Sequence, residues 1–286
     1  MRGSSKPTIA ILGASGLIGQ AVATHLIDEG FSVVAIARTF TPAQRELFGD
    51  RAKQSPIVAL DDRSLSALLQ ENAATIVVNC IGMLQDSTLR GATEDAHSGF
   101  VKRLVTSIAN SGKPSLLVHV SIPGRAEDDR TSFSTTKREA ESIIAASGLP
   151  YVILRPGFVV APAAFGGSAL IRALAALPFG LPQAIASRPF AATDVDDIGR
   201  TVSAIATRWT SGDRDWRATW DVMERRGGTV GEVIQSFRRH FGGLVACDSA
   251  ACVAVGYRHQ AWGCGFASGL ATAYTQYRLC RIAAGC

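Results

Sequence analysis

Apolar residues along this chain come in short runs separated by glycine-rich, polar or helically spaced segments, and that alternation sets the expected elements. Ile9 to Leu12 is an apolar run of strand length, and Gln20-Ala-Val-Ala-Thr-His-Leu-Ile27 repeats its apolar residues at helical spacing. Phe31 to Ala37 predicts a second strand, and Ile57 to Leu60 a third, closed by Asp61-Asp62 and followed by a helix over Ser64 to Gln70. Thr75 to Gly82 predicts a fourth strand running into a glycine turn. Its nearly continuous apolar character suits a central parallel strand covered on both faces. A helix from about Thr93 to Ser111, a strand over Ser115 to Ser121, a helix from Phe133 through Ile144 and a strand over Tyr151 to Arg155 complete the series. Strands alternating with helices imply an α/β chain with a right-handed, doubly wound parallel sheet and helices on both faces.

Beyond about residue 156 the pattern is mixed, as expected of a small C-terminal lobe on the substrate side. Ala161 to Pro189 is rich in Ala, Gly and Pro, with a helix expected over Ser168 to Leu177. A helix over Asp194 to Thr207 carries its carboxylates in the first turn, and Ala218 to Val222 reads as a short strand. Thr229-x-x-Glu232 is a capping box opening a helix over Val230 to Phe241, whose Arg238, Arg239 and His240 fall in the last turn, the side that favours cations. Residues 1–242 thus read as one domain, and 243–286 as a separate tail.

The first turn carries the candidate chemistry. Gly13-Ala14-Ser15-Gly16-Leu17-Ile18-Gly19 lies between a strand and a helix. In a dinucleotide-binding βαβ unit the first glycine makes the tight turn, the second admits a pyrophosphate, and the third lets helix pack on strand. The helix N-terminus then offers free N–H groups and its positive dipole end to the phosphates. The spacing is G-x-x-G-x-x-G rather than the commoner G-x-G-x-x-G, and strand and helix fit on either side. A Rossmann fold follows. At the end of the second strand an acidic residue would hold the ribose 2′-hydroxyl of NAD, whereas an arginine accommodates the 2′-phosphate of NADP. No acidic residue occurs between Phe31 and Arg45, and Arg38 stands at the strand end, so NADP is the expected cofactor, with NAD the alternative. Asp61, with Asp62, is placed to accept from the adenine amino group, or else is a solvated loop carboxylate. Gly13, Arg38, Asp61, Gly82 and Ser121 all fall at the carboxyl ends of expected strands, where ligands sit in such sheets.

Composition narrows the class. With 47% hydrophobic and 19% charged residues in 286, the chain can bury a sizeable core. A net charge of +5 without a run of like charges carries no nucleic-acid footprint. The start of the chain has no apolar core like that of a signal peptide, and no apolar stretch reaches membrane-spanning length, so a cytoplasmic protein is expected. Cys80 reads as a small buried hydrophobe in its strand, whereas Cys247, Cys252, Cys264, Cys280 and Cys286 crowd the tail without zinc-site spacing, and no metal is expected. The tail, where helical periodicity fades, reads as a disordered or frameshifted ending, with a redox or metal-binding appendage as the competing idea.

Gly13-Ala-Ser-Gly-Leu-Ile-Gly19, Asn79-Cys-Ile-Gly82, Val118-His-Val-Ser121, Lys137 with Glu139-Ala-Glu141, Ile153-Leu-Arg-Pro-Gly-Phe158 and Thr193-Asp-Val-Asp-Asp-Ile-Gly199 form a set. Together they resemble the short-chain dehydrogenase/reductases of the extended or atypical branch, which includes sugar-nucleotide epimerases and NmrA-like proteins. Within it the chain is most similar to the group of the NADPH-binding accessory subunit of respiratory complex I. The resemblance spans roughly residues 8 to 242. It implies hydride transfer between NADP(H) and a carbonyl or alcohol, with Lys137 holding the nicotinamide ribose and Ser121 polarising the substrate. It also implies that Cys80, Ile81 and Gly82, and Pro156, Gly157, Phe158 and Val159, border the cofactor, and it allows peripheral association with a respiratory complex or membrane. The family's catalytic Tyr-x-x-x-Lys departs here, because Phe133 stands where the tyrosine should be. A phenyl ring has no proton to give, and general acid–base catalysis is worth about 10²–10⁴-fold. Two further readings therefore stand beside the reductase: an NADPH-binding sensor or assembly protein of weak activity, and a sugar-nucleotide epimerase or dehydratase. Arg172, Gln183, Ser187 and Arg188 are the polar side chains that the lobe offers a substrate.

Overall fold

The computed structural model describes residues 7–82, 94–113, 115–163, 167–177, 179–224 and 227–242. The tail expected to stand apart lies outside them. In chain order the elements are β1 (Thr8–Leu12), α1 (Leu17–Asp28), β2 (Ser32–Ala37), α2 (Pro42–Phe48), β3 (Ala52–Gln54), α3 (Asp62–Glu71) and β4 (Ala74–Asn79). A π-helical turn, Asp95–Gly99, leads into α4 (Phe100–Ala109), followed by β5 (Leu116–Val120), α5 (Ser132–Ala146), β6 (Tyr151–Pro156) and β7 (Phe158–Val160). Then come α6 (Gly167–Ala176), α7 (Gln183–Ala186), β8 (Pro189–Phe190), β9 (Ala192–Asp194), α8 (Val195–Thr210), β10 (Arg217–Val222), β11 (Gly228–Thr229) and α9 (Val230–His240).

Seven strands form one sheet in the order β10-β6-β5-β4-β1-β2-β3, all neighbours parallel. The order reverses between β1 and β4, the switch point at which open α/β sheets bind ligands. Alternate residues of each strand feed opposite faces. Ala10, Leu12, Val77, Leu117 and Ile153 pack with Leu65 and Leu69 of α3, Phe100 and Leu104 of α4, and Ala140 and Ile144 of α5. Ile9, Ile11, Ile76 and Val78 point the other way and are equally buried. Each such Leu or Ile contributes about 1.5–3 kcal/mol over its exposed state.

Two expectations fail here. Ile57 to Leu60 is not the third strand: Ile57–Ala59 is a 3₁₀ turn, and Ala52–Gln54 pairs with β2 instead. Ile57 is 3% exposed and belongs to the core as a plug, and Pro56, preceding it, lacks the N–H that a ladder needs. Of the helix expected over Thr93 to Ser111, Thr93 lies outside the described residues, a π turn occupies Asp95–Gly99, and the regular helix runs from Phe100.

By their contacts the described residues group into two units: residues 7–157 with 195–222, and residues 158–194 with 223–242. In the second, β7 pairs with β9 and β8 with β11, over a core of Val160, Ile171, Ala175, Val233, Ile234 and Phe237. Arg238 does not serve the end of its own helix, as its position suggested. Buried at 5% exposure, it donates to the carbonyls of Ala175, Leu177 and Phe179 at 3.2, 2.8 and 2.8 Å, capping the end of α6.

Candidate functional site

The glycine turn is built almost wholly from backbone. Gly13 and Ala14 both donate to the Ile36 carbonyl of β2, at 2.9 and 3.1 Å, and Gly16 donates to Gly13 at 3.0 Å. Gly13 has φ +82°, and a Cβ there would meet Cys80 and Ile81 at 3.2 Å, which puts the turn against the end of β4 at the switch point. A Cβ on Gly19 would lie 2.2 Å from the Gly13 oxygen, so only glycine fits. Gly16 caps α1 with no side-chain hydrogen bond, which leaves first-turn N–H groups for an anion. Ser15, Leu17 and Ile18 are half-buried around it, and Gln44 Nε2 donates to the Ser15 carbonyl at 3.0 Å, tying the turn to α2. Arg38 is exposed immediately after β2.

Asp61 also has a local role. Its Oδ1 accepts from the Ser64 N–H at 2.8 Å as the N-cap of α3, and these bonds to Ser64 hold its carboxyl below the usual range. Asp62 opens the same helix. The physical reason is local: an aspartate before a helix finds the unpaired N–H groups of the first turn.

The second part of the site lies at the ends of β4 and β5. Thr131 and Ser134 form the capping box that starts α5, and Lys137 projects from its second turn. Lys137 is 4% exposed, and its Nζ donates to the carbonyls of Ile81 and Val120, each at 2.9 Å. Two of three ammonium hydrogens are therefore held by strand ends. Burial lowers its pKa to about 8, against the opposing pull of Cys80 and Glu141. Cys80, expected as an inert strand residue, follows β4 half-buried, and burial pushes its thiol up to about 12, with Lys137 opposing. Phe133 stands one turn before Lys137 and packs edge-on to His97, centroids 5.4 Å apart at 73°.

His97, at the centre of the π turn, is a site residue that the sequence pattern missed. Its Nδ1 lies 2.8 Å from Thr136 Oγ1, whose hydroxyl donates to the Ser132 carbonyl at 2.7 Å. The hydrogen is thus assigned to Nδ1, and Nε2 is the lone-pair nitrogen. A Cβ on Gly82 would sit 3.7 Å from Lys137 Nζ and 3.9 Å from His97 Nε2, so the three positions meet. Burial, then the charge of Lys137, takes His97 down to about 4. His119 was also missed. Asn79 takes the Ile81 N–H on its Oδ1 at 3.1 Å and turns its amide nitrogen to His119 Nδ1, also at 3.1 Å. That puts the His119 hydrogen on Nε2, which is buried without a partner among the described residues. Burial, with Lys137 and His97, holds His119 well below its ordinary pKa.

Ser121 is 5% exposed, and its Oγ makes no hydrogen bond of standard geometry, although it lies close enough to the Glu141 carboxylate to favour its charge. Glu141 is gripped in a fork by Arg155, Nε to Oε1 at 2.9 Å and Nη2 to Oε2 at 2.6 Å. Burial works to raise Glu141, but Arg155, Ser121 and Arg138 prevail and leave it below the usual carboxylate range. Arg138 also donates to the carbonyls of Ile122, Pro123 and Gly124 at 3.0, 2.7 and 2.8 Å and pairs with Asp129 at 3.2 Å, fixing the loop after β5. Pro156 ends β6 and Gly157 follows it. Phe158 and Val159 open β7 in the second unit, where Phe158 lies 4.9 Å from the Phe190 ring. The lobe residues offered to a substrate are engaged or exposed there: Arg172 donates to the Ala161 carbonyl at 2.6 Å, Ser187 to Gln183 at 2.8 Å, and Gln183 and Arg188 are exposed.

A glycine turn at the switch point, with an open helix N-terminus, is a dinucleotide cradle, and comparison with known proteins agrees. The NAD(P)H-binding family matches residues 13–173, more than half of the chain. The chain belongs to that family. Among solved structures it is similar to the Bordetella bronchiseptica enzyme WbmG in complex with NAD and UDP, at 17% identity and a TM-score of 0.67 over 88% of this chain and 83% of that one. It is likewise similar to the Thermotoga maritima UDP-glucose 4-epimerase with UDP-glucose, at 14% identity and a TM-score of 0.64 over 82% of each chain. A third is the NAD complex of dTDP-glucose 4,6-dehydratase from Bacillus anthracis, at 15% identity and a TM-score of 0.66 over 83% of this chain and 82% of that one. No curated protein is similar enough to count as a match. The fold is thus the one these enzymes share, and the chain is an NAD(P)H-binding Rossmann protein. Among the described residues no helix is long and apolar enough to cross a membrane.

Proposed function

We propose that the protein is an NADP(H)-dependent reductase in which Lys137 does the acid–base work usually given to a tyrosine. The observation that carries this reading is the enclosed Lys137 ammonium, held by the ends of β4 and β5 with its pKa brought to about 8. A group titrating near the working pH is the efficient proton donor. Gly13 to Gly19 and the α1 N-terminus would hold the pyrophosphate, Arg38 the 2′-phosphate, and Gly82 would admit the cofactor beside Lys137 without a clashing side chain. When bound, NADPH supplies a hydride. Lys137, with one hydrogen beyond the two given to strand carbonyls, keeps the proton that a carbonyl oxygen needs as it becomes an alcohol. His97, neutral at working pH, adds no positive charge beside the Lys137 ammonium.

A second reading, an NADPH sensor or assembly protein, is favoured by Phe133, whose phenyl ring packs edge-on against His97 and has no proton to give. A sugar-nucleotide epimerase fits less well, because that chemistry leans on the missing phenol. One assay separates these. NADPH consumption with a panel of aldehydes, ketones and nucleotide-sugars is measured for the wild type, Lys137→Met and Phe133→Tyr. Turnover that Lys137→Met abolishes supports the reductase. Tight NADPH binding without turnover by the wild type overturns it in favour of the sensor.

A further inference from the structure

The strand β10 ends the seven-stranded sheet, with β6 on one side and no strand on the other among the described residues. Which of its backbone groups face outward follows from one bond. Tyr151 N–H donates to the Trp216 carbonyl at 2.8 Å, and Tyr151 is paired in register with Arg217. In a parallel ladder this directs Trp216, Ala218, Trp220 and Val222 toward β6. The N–H and C=O groups of Arg217, Thr219 and Asp221 therefore face the open edge. All three side chains are exposed and, at alternate positions, share one face.

Those three residues read the same in charge from either direction once signs are exchanged: a cation two residues before Thr219, an anion two residues after it. Laid antiparallel on itself about Thr219, the strand sets Arg217 opposite Asp221 twice, and Thr219 opposite Thr219. Because outward-facing backbone falls on just these residues, all three pairs are hydrogen-bonded pairs of an antiparallel ladder. Opposite charges and Thr–Thr are favourable cross-strand partners. On the other face, Trp220, still 37% exposed, would come to lie over the smaller Ala218 of the second copy. Charges on an edge strand normally repel a neighbour. Here their sign and spacing favour an identical one, in the twofold arrangement that isologous dimers require.

We propose that β10 is a dimerisation edge, which joins a second copy of this chain antiparallel through Arg217, Thr219 and Asp221 and makes the two sheets continuous. The proposal is independent of what the protein catalyses. It is tested by sedimentation velocity on the full chain over a range of concentrations. The wild type is expected as a dimer, twice the 30.1 kDa chain mass. Arg217→Asp places two carboxylates opposite each other and weakens the dimer by about tenfold. Arg217→Asp with Asp221→Arg restores it, which a mere loss of folding would not do. Thr219→Pro removes an outward N–H that β6 does not use and yields a monomer with an unchanged circular dichroism spectrum. A wild type that stays monomeric at sub-millimolar concentration overturns the proposal, as does a dimer that Arg217→Asp leaves equally tight.

Discussion

The glycine turn after β1 and the polar cluster around Lys137 occupy neighbouring strand ends, yet they are built in opposite ways. The turn is backbone against backbone, from residues within one short stretch, and it excludes side chains: at Gly19 a single methyl would stand 2.2 Å from a carbonyl oxygen. The cluster gathers side chains from Asn79 to Arg155 on five segments and is held by donors that seek carbonyls and carboxylates. A cradle for phosphate needs rigid N–H groups aimed outward. A proton-handling site needs titratable groups whose pKa values burial can move. The comparison teaches that the two regions rest on different interactions, and Phe133, packed edge-on against His97, belongs to the second.

The largest effect expected is on the turn. Gly19→Ala forces the turn or α1 to shift, destabilising the fold by about 3 kcal/mol. NADPH affinity falls with it by roughly tenfold or more, because the N–H groups leave their places. Denaturant unfolding and NADPH fluorescence titration read the two, and an unchanged affinity would break the assignment of the turn to phosphate. Next comes Glu141→Gln, which leaves Arg155 and Arg138 without their shared carboxylate. A loss of about 1–3 kcal/mol is expected, toward the lower end because Arg155 is 27% exposed, with NADPH affinity nearly unchanged. A large affinity loss would show that cluster and cradle are one unit.

A third effect is in pH. His97 is held at about 4 against an ordinary 6.5, so between those values the unfolded chain binds a proton that the folded chain refuses. Stability therefore falls as pH drops from 6.5 to 4, and His97→Asn flattens that slope in thermal melts. Lys137 acts likewise between 10.5 and about 8: its lowered pKa makes stability rise with pH across that window, and Lys137→Met removes the rise. The smallest effect is Arg38→Ala, which should cost NADPH, but not NADH, about tenfold in affinity through loss of a charge-assisted bond. Equal losses for both cofactors would remove Arg38 from the 2′-phosphate.

Much of the fold was legible because its signals are local. Apolar runs marked β1, β2, β4, β5 and β6, and Thr229 with Glu232 announced α9 three residues apart. The third strand was misread because Ile57 is as apolar as a strand residue, while the true strand, Ala-Lys-Gln, is polar and rests only on pairing with β2. Of the candidate site, the glycine turn and Lys137 were visible as motifs. His97 was not, since a π turn leaves no periodic trace, and Arg138 looks like any helix arginine until three carbonyls of the loop after β5 are seen around it.

The amino-acid sequence by itself determined the order of most strands and helices, the three glycines and the placement of Phe133 four residues before Lys137. Each is a property of one short stretch, decided by sterics and side-chain chemistry. Tertiary structure alone decided that Lys137 is enclosed by carbonyls, that His97 and His119 stay neutral beside it, and that Arg155 and Arg138 share the Glu141 carboxylate. Those outcomes depend on which groups distant segments bring together and how much water they exclude, and burial is a property of the fold rather than of any residue.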